Sequence, residues 1–530
     1  MSPLLLLLLG LLSLVLCVLR GRKRRAGEPP LIKGWIPYVG KALEFGKDAH
    51  KFLEEHKKKY GDVFTVRIAG KYMTFITDPL MYPNIIKQGR QLDFHEFSDK
   101  VAPVTFGYPP VINGKYPGLS EQVKRSFNLL QGDKLTPLTE SMMGNLMLVF
   151  RQDHLQEEGG WKIGNMFEFC FSIMFEATFL TMYGRPLSTR RHSGMDVLMD
   201  HFIKFDTMFP LLIAQIPIRL LGRTKAIREK LINYFLPNKM SCWSNTSQFI
   251  KRRSELFEQY DALRDVDKAA HHFAMLWASV GNTAPATFWA MYYLVSHPEA
   301  LQVVRQELHD LLTLSGVDFS SDKDVMLSRE QLEKLLYLGK LSFSASLLLW
   351  GHFDRFHISS GCWTLTTGLL FSTESSINES LRLSSSSMNI RVAQEDFSLR
   401  LDAERSASVR KGDIIALYPQ IMHLDPEIYE DPETFRFDRY MQDGTVKTEF
   451  YKDGQKLKYY LMPFGSGSTM CPGRHFALNE IKQFLCLLLL YFDLELEEGQ
   501  TRATLDPSRA GLGVLLPNND VHFRYRLRKV

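Results

Sequence analysis

Phe464-Gly465-Ser466-Gly467-Ser468-Thr469-Met470-Cys471-Pro472-Gly473-Arg474 reads F-x-x-G-x-x-x-C-x-G, and an apolar run, Phe476 to Phe492, follows it. The chemistry open to such a loop is narrow. Thiolate is the soft, electron-rich form of cysteine and the form that binds a metal. Gly467 and Gly473 let the backbone turn and approach a flat ligand closely. Amides of the loop can point at the sulfur and tune it, and the apolar run behind keeps the site dry. A single cysteine held this way suits the axial position of a haem iron. Taken alone, Cys471 reads better as a small buried cysteine in a glycine-rich turn, since free cysteine is often buried.

Two further motifs decide between these. Glu379-Ser380-Leu381-Arg382 is an E-x-x-R, and Phe435-Arg436-Phe437-Asp438-Arg439-Tyr440 follows it. Together they supply a carboxylate and two guanidiniums, a set that can lock by bidentate hydrogen bonds. In order and spacing the three motifs resemble those of the cytochrome P450 family. The resemblance implies a mainly α fold with a smaller β region. It also implies haem b ligated by Cys471, with Phe464, Gly467 and Gly473 around it and a Glu379–Arg382–Arg439 cluster beneath. O₂ and electrons from NADPH through a reductase would then hydroxylate an unactivated C–H.

Thr469 departs from the family, where Arg or His usually holds a haem propionate; Arg391 and His423 are the substitutes considered. The W-x-x-x-R of many members is not visible near Glu121 to Phe127.

Ala269 to Tyr293 reads as one long helix, and Pro285 should kink it and free a carbonyl. Gly281-Asn282 stands where most members carry an acid and an alcohol for proton delivery. Asn282 hydrogen-bonds but has no titratable proton. On a continuous helix Thr283 would turn about 100° away. Asn282 and Thr283 are the catalytic candidates, and Trp277, Val280, Gly281, Met388, Asn389 and Leu512 the substrate-contact candidates.

Gly-Asn at this point is similar to the branch of sterol hydroxylases and prostacyclin synthases. Gly27 to Trp35, Leu276 to Thr283, Phe288 to Leu294 and Tyr460 to Gly465 most resemble the oxysterol 7-alpha-hydroxylases of family 7, subfamily B. The substrate implied is an apolar sterol or oxysterol in cholesterol, bile acid or steroid metabolism.

The chain has 530 residues, 45% hydrophobic and 23% charged, an ordinary globular composition. Six cysteines lie scattered without paired spacing, which points to a reducing compartment rather than a disulfide framework. The net charge is +5. The basic cluster Arg20, Arg22, Lys23, Arg24 and Arg25 accounts for it, so nothing in the charge suggests nucleic acid.

That cluster follows Leu4 to Leu19, an uncharged, leucine-rich run. At 1.5 Å per residue the run spans about 24 Å, near the ~27 Å core of the endoplasmic reticulum bilayer. Residues 1–26 are therefore read as a single-pass anchor in that membrane. Basic residues after the run leave the body, residues 27–530, in the cytosol. Phe209 to Leu221 is apolar and broken by Pro210 and Pro217; it fits a second membrane contact or an ordinary core helix end.

Gly339 to Thr373 interrupts the pattern. Leu335 and Leu338 before it and Ile377 and Leu381 after it form one helical face when the ends are joined. The interval is apolar and Ser/Thr-rich and has few charges. It is read as a foreign insertion six residues ahead of Glu379, with a tolerated surface loop as the alternative. If it disrupts the core, the chain is not an enzyme.

Overall fold

The computed structural model describes residues 3–19, 21–36, 38–111, 114–156, 160–186, 194–314, 325–332, 372–443 and 445–528. The bulk of the expected insertion, residues 339–371, lies outside them.

The body is a helical mass flanked by a six-stranded sheet. β1 (Leu31–Ile32), β2 (Val63–Ile68), β3 (Lys71–Ile76) and β4 (Leu92–Asp93) come from the N-terminal third; β5 (Asn389–Ala393) and β6 (Ile414–Leu417) come from the last third. Their spatial order is β1-β2-β3-β6-β5-β4. β2 and β3 form a hairpin, closed by Ala69 and Gly70, whose φ angles of 47° and 78° are the left-handed values a two-residue turn demands. β5 is buried along its whole length and pairs antiparallel with β6, which sets Arg391 opposite Ile415.

Two helices carry the core. α1 (Met166–Tyr183) is long and apolar enough to cross a membrane, yet 83% of it is buried among the other helices, which makes it the central core helix. α2 (Arg474–Tyr491) begins at the Cys471 loop and buries Phe484 to Leu489 beside it.

The expected long helix is two helices. α3 (Asp265–Val280) and α4 (Thr283–Ser296) are separated by Gly281 and Asn282. Pro285 has no N–H for the Gly281 carbonyl one turn earlier, so the ladder fails there rather than bending at the proline.

α5 (Ser372–Ser384) carries the E-x-x-R. The last two residues of the expected insertion, Ser372 and Thr373, form its first turn. Thr373 is buried and gives both its amide, at 2.9 Å, and its hydroxyl, at 2.5 Å, to the Glu307 carboxylate. That carboxylate does what an N-cap side chain does, satisfying a donor the helix leaves free.

At the other end of the chain, Pro3–Leu19 is a helix with exposed leucines. The arginines after it dock on the body. Arg22, 9% exposed at its side chain, meets Glu28 at 3.1 Å and also pairs with Asp413. Arg410 pairs with Glu28 as well, and Arg24 donates to the Glu28 carbonyl at 2.8 Å. Burial works against the Glu28 charge, but the arginine hydrogen bonds outweigh it and hold the carboxyl down at about 2. Among the described cysteines, Cys170, Cys242, Cys471 and Cys486 are free.

Candidate active site

Cys471 opens onto a cavity of about 1180 Å³. That exceeds the ~300–1,000 Å³ usual for one small ligand and leaves space for a flat cofactor and a second molecule together. The walls come from β5, the Cys471 loop and α2 on one side, α3, α4 and Phe209 to Ala214 on another, and Ser508 to Val514 on a third.

The loop is built to hold a sulfur. The Cys471 amide donates to the Phe464 carbonyl at 2.8 Å, closing the turn. Gly465 and Gly467 have φ of 78° and 59°, the left-handed region. At Gly467 a Cβ would fall 2.6 Å from Ile86 Cγ2, so the position excludes any side chain. Gly473 has an ordinary φ of −87°; its contribution is closeness, since a Cβ there would sit 3.9 Å from the sulfur. Burial pushes the Cys471 thiol up, while the amides of Gly473 and Arg474 and the Arg474 charge pull it down. Phe464, Cys471 and Gly473 line the cavity; Gly467 stands behind them.

Glu379, Arg382 and Arg439 come together as the resemblance implied. Arg382 gives Nε and Nη2 to the two Glu379 oxygens at 2.7 and 2.8 Å, and Arg439 Nε reaches Oε1 at 2.7 Å. The remaining guanidinium donors satisfy the carbonyls of Pro432, Glu430 and Thr434. Burial alone would lower the Arg382 guanidinium; Glu379 outweighs it and holds it above its usual range. None of the three lines the cavity. They are a brace behind its wall, not cavity-lining contacts.

The break in the helix changes the reading of Asn282 and Thr283: both line the cavity. Asn282 Oδ1 accepts the Val514 amide at 3.0 Å and ties the break to the C-terminal loop. Gly513, with φ of 131°, passes so near that a Cβ would lie 2.1 Å from that oxygen.

Trp277, Met388, Asn389 and Leu512 line the cavity. Val280 and Gly281 do not. Val280 is buried in the helical core, and Gly281 packs against Trp277, whose carbonyl a Cβ would meet at 2.9 Å. Of the propionate substitutes, Arg391 lies beside the loop, its Nη2 reaching the Ser466 carbonyl at 3.2 Å and the Thr469 hydroxyl at 3.3 Å. His423 lies elsewhere: its Nε2 accepts the Met462 amide at 3.0 Å, and its carbonyl serves Arg382.

Two features escaped the motif reading. Asp206, on the helix Met195–Thr207, takes Arg509 Nη1 at 2.6 Å and the Trp277 indole N–H at 2.7 Å. Trp277 therefore offers the cavity a ring face, stacked on Phe209 at 3.8 Å, and no free N–H. Glu480 also lines the cavity; burial holds its carboxyl well above the ordinary range, and Thr178 donates to it at 2.9 Å.

Lys482 is buried and pairs with Glu374 at 2.5 Å, Lys452 pairs with Asp425 at 2.7 Å, and Lys456 pairs with Glu449.

A model of the family described as Cytochrome P450 matches residues 29–329 and 369–523. "Cytochrome P450 7B1" of Mus musculus is 39% identical over 98% of this chain and 94% of that protein. "Cholesterol 7-alpha-monooxygenase" of Cricetulus griseus is 40% identical over 98% of this chain and 99% of that protein. "25-hydroxycholesterol 7-alpha-hydroxylase" of Rattus norvegicus is 36% identical over 85% and 99%.

Proposed function

The chain belongs to the cytochrome P450 family, and from that premise we propose that it hydroxylates a sterol or oxysterol at the 7-alpha position. The observation that carries this reading is a large, mainly apolar cavity that ends on Cys471, in a chain whose relatives bear the names of sterol 7-alpha-hydroxylases.

The residues fit a thiolate-ligated haem. The Cys471 sulfur faces a cavity of sufficient size, glycine replaces side chains where a flat group must approach, and Arg391 leaves one buried guanidinium nitrogen without a partner. Bound there, haem supplies O₂ activation and attack on an unactivated C–H.

The chain's own residues do the rest. Cys471 holds the metal, and the Gly473 and Arg474 amides temper its sulfur. The Trp277 and Phe209 rings, with Met388 and Leu512, orient an apolar body and exclude water. Asn282 gives its oxygen to Val514 and keeps its NH₂ for a polar atom in the cavity. The Thr283 hydroxyl, brought into the cavity by the helix break, donates and relays a proton at Oγ1.

Electrons from NADPH enter through a reductase. Pro3–Leu19 anchors the chain in the endoplasmic reticulum membrane with the body cytosolic. Leu211, Ile216 and Leu220, exposed beside buried Phe209 and Leu212, give that body a second lipid contact. Residues 339–371 are foreign to the fold: the family match lapses between 329 and 369, and α5 restarts under its Glu307 cap.

The test is the carbon monoxide difference spectrum of the reduced protein, with and without residues 339–371. It is followed by turnover of cholesterol and 25-hydroxycholesterol with NADPH and reductase. A thiolate-type Soret band and a 7-alpha-hydroxy product support the reading. A band only in the shortened chain makes this chain an inactive form of the same enzyme. A band with a product at another carbon overturns the regiochemistry.

A further inference from the structure

β3 sends alternate side chains to the two faces of its sheet. Lys71 and Met73 line the cavity, while Tyr72 between them packs against Arg22 and Arg67. Ile76, at the far end of β3, shares a row with Leu417 and Asn389. In that row Asn389 Oδ1 accepts the Ser466 hydroxyl of the Cys471 loop at 3.2 Å. The strand from Ile76 back to Lys71 spans about 17 Å. Lys71 therefore stands at the end of the cavity away from the sulfur. The lining also includes exposed Leu43 and Lys47, so the cavity is not sealed.

Among the described residues no carboxylate pairs with the Lys71 ammonium. It lies over the Phe97 ring, with Nζ 5.0 Å from the centroid. A ring attracts the charge and leaves the N–H donors free for an oxygen. Burial and the charge of Lys100 both push Lys71 below its ordinary range, and Lys100 is itself engaged by Glu96. Glu480, the acidic residue on the lining, belongs to α2, and its burial disfavours the charge. The lining contributed next to Lys71 in the chain, Ile68, Ala69 and Met73, is apolar. A half-buried cation without a counter-ion, on the wall of an apolar cavity, is a place for an anion.

We infer that Lys71 is a specificity-determining residue that seats the acidic end of a sterol side chain, so that sterol acids are substrates alongside neutral sterols. The inference deepens the sterol hydroxylase reading and rests on it. With the 7-position facing the Cys471 end of the cavity, the ring hydroxyl lies close to the attacked carbon. The tip of the side chain is the part that reaches Lys71, so the acid belongs on the side chain. A carboxylate there takes a charge-assisted hydrogen bond from Nζ, while the sterol body fills the apolar length between. A neutral side chain forgoes that bond and leaves Nζ to water.

The test uses the full, haem-loaded chain as wild type, Lys71→Met and Lys71→Arg. The probes are a cholesterol whose side chain ends in a carboxylate, and the methyl ester of that acid. Affinity for each is read by spectral titration and by equilibrium dialysis. The quantity compared is the acid-to-ester ratio, which a general loss of folding does not move. The ratio should fall ~10-fold or more in Lys71→Met, the effect of losing one charge-assisted hydrogen bond, and should recover in Lys71→Arg. An unchanged ratio overturns the inference. So does a dependence on Lys71 shown by cholesterol sulfate and not by the side-chain acid, which puts the anion at the ring end. So does weaker attachment of Lys71→Met to phosphatidylserine vesicles with the ratio unchanged, which makes a lipid headgroup the partner. If wild type binds neither acid nor ester, the sterol reading fails first, and the seat falls with it.

Discussion

Asp206 and Arg509, 303 residues apart in the chain, meet in a two-pronged ion pair at 2.6 and 3.2 Å. The same carboxylate holds the Trp277 indole, so one side chain joins the helix Met195–Thr207 to α3 and to the Ser508–Val514 segment. Asp206→Asn leaves a guanidinium with 4% exposure unneutralised. Removing one partner of a buried pair costs about 3–5 kcal/mol. The expected result is a lower Tm together with weaker sterol binding, read by thermal melting and by spectral titration.

Glu379→Gln strikes the brace behind the wall. It keeps the shape and removes the charge that Arg382 and Arg439 share, so both remain buried and uncompensated. The expected loss is again about 3–5 kcal/mol or more. It should show as poor haem incorporation at fixed expression, while Arg382→Lys keeps the charge, loses the fork and falls between.

Asn282 has a structural duty separable from any catalytic one. Asn282→Ala leaves the Val514 amide without its acceptor, at a cost of about 1–3 kcal/mol. Asn282→Asp keeps the acceptor. Thermal melting should therefore separate the two variants, with the Asp variant close to wild type and the Ala variant below it. A Gly513→Ala chain should be destabilised as much as Asn282→Ala or more, because its Cβ would meet the same oxygen.

Acid sensitivity should come early. Burial and the nearby Arg382 push His423 down to about 3, and burial and Arg253 do the same to His271. Unfolded, both titrate near 6.5. The unfolded chain thus binds more protons between pH 6.5 and 3. The contribution is complete above 6.5 and is lost as pH falls toward 3, by about 1.4 kcal/mol per pH unit for each ring. Tm measured against pH should fall across that window, and a His423→Asn chain should show a shallower slope.

The Cys471 loop and the Glu379 brace were legible because each needs fixed residue types at fixed spacing. Val280 and Gly281, named beside Trp277 on the same stretch, stand outside the cavity lining: Val280 is buried in the core and Gly281 packs on Trp277. The break at Gly281 and Asn282 puts Asn282 and Thr283 side by side on the cavity. Asp206 left a fainter trace: a carboxylate one turn beyond Phe202, on an otherwise apolar helix face. Arg509 left none, since nothing in a sequence joins residues so far apart.

Arg22 is locked to Glu28 and Asp413, and only residues 20 and 21 separate it from the end of the helix Pro3–Leu19. At about 3.5 Å per residue that is a reach of roughly 10 Å. The N-terminal helix is thus tethered on a short span: its end can lie no farther than that from the point where Arg22 is fastened to the body.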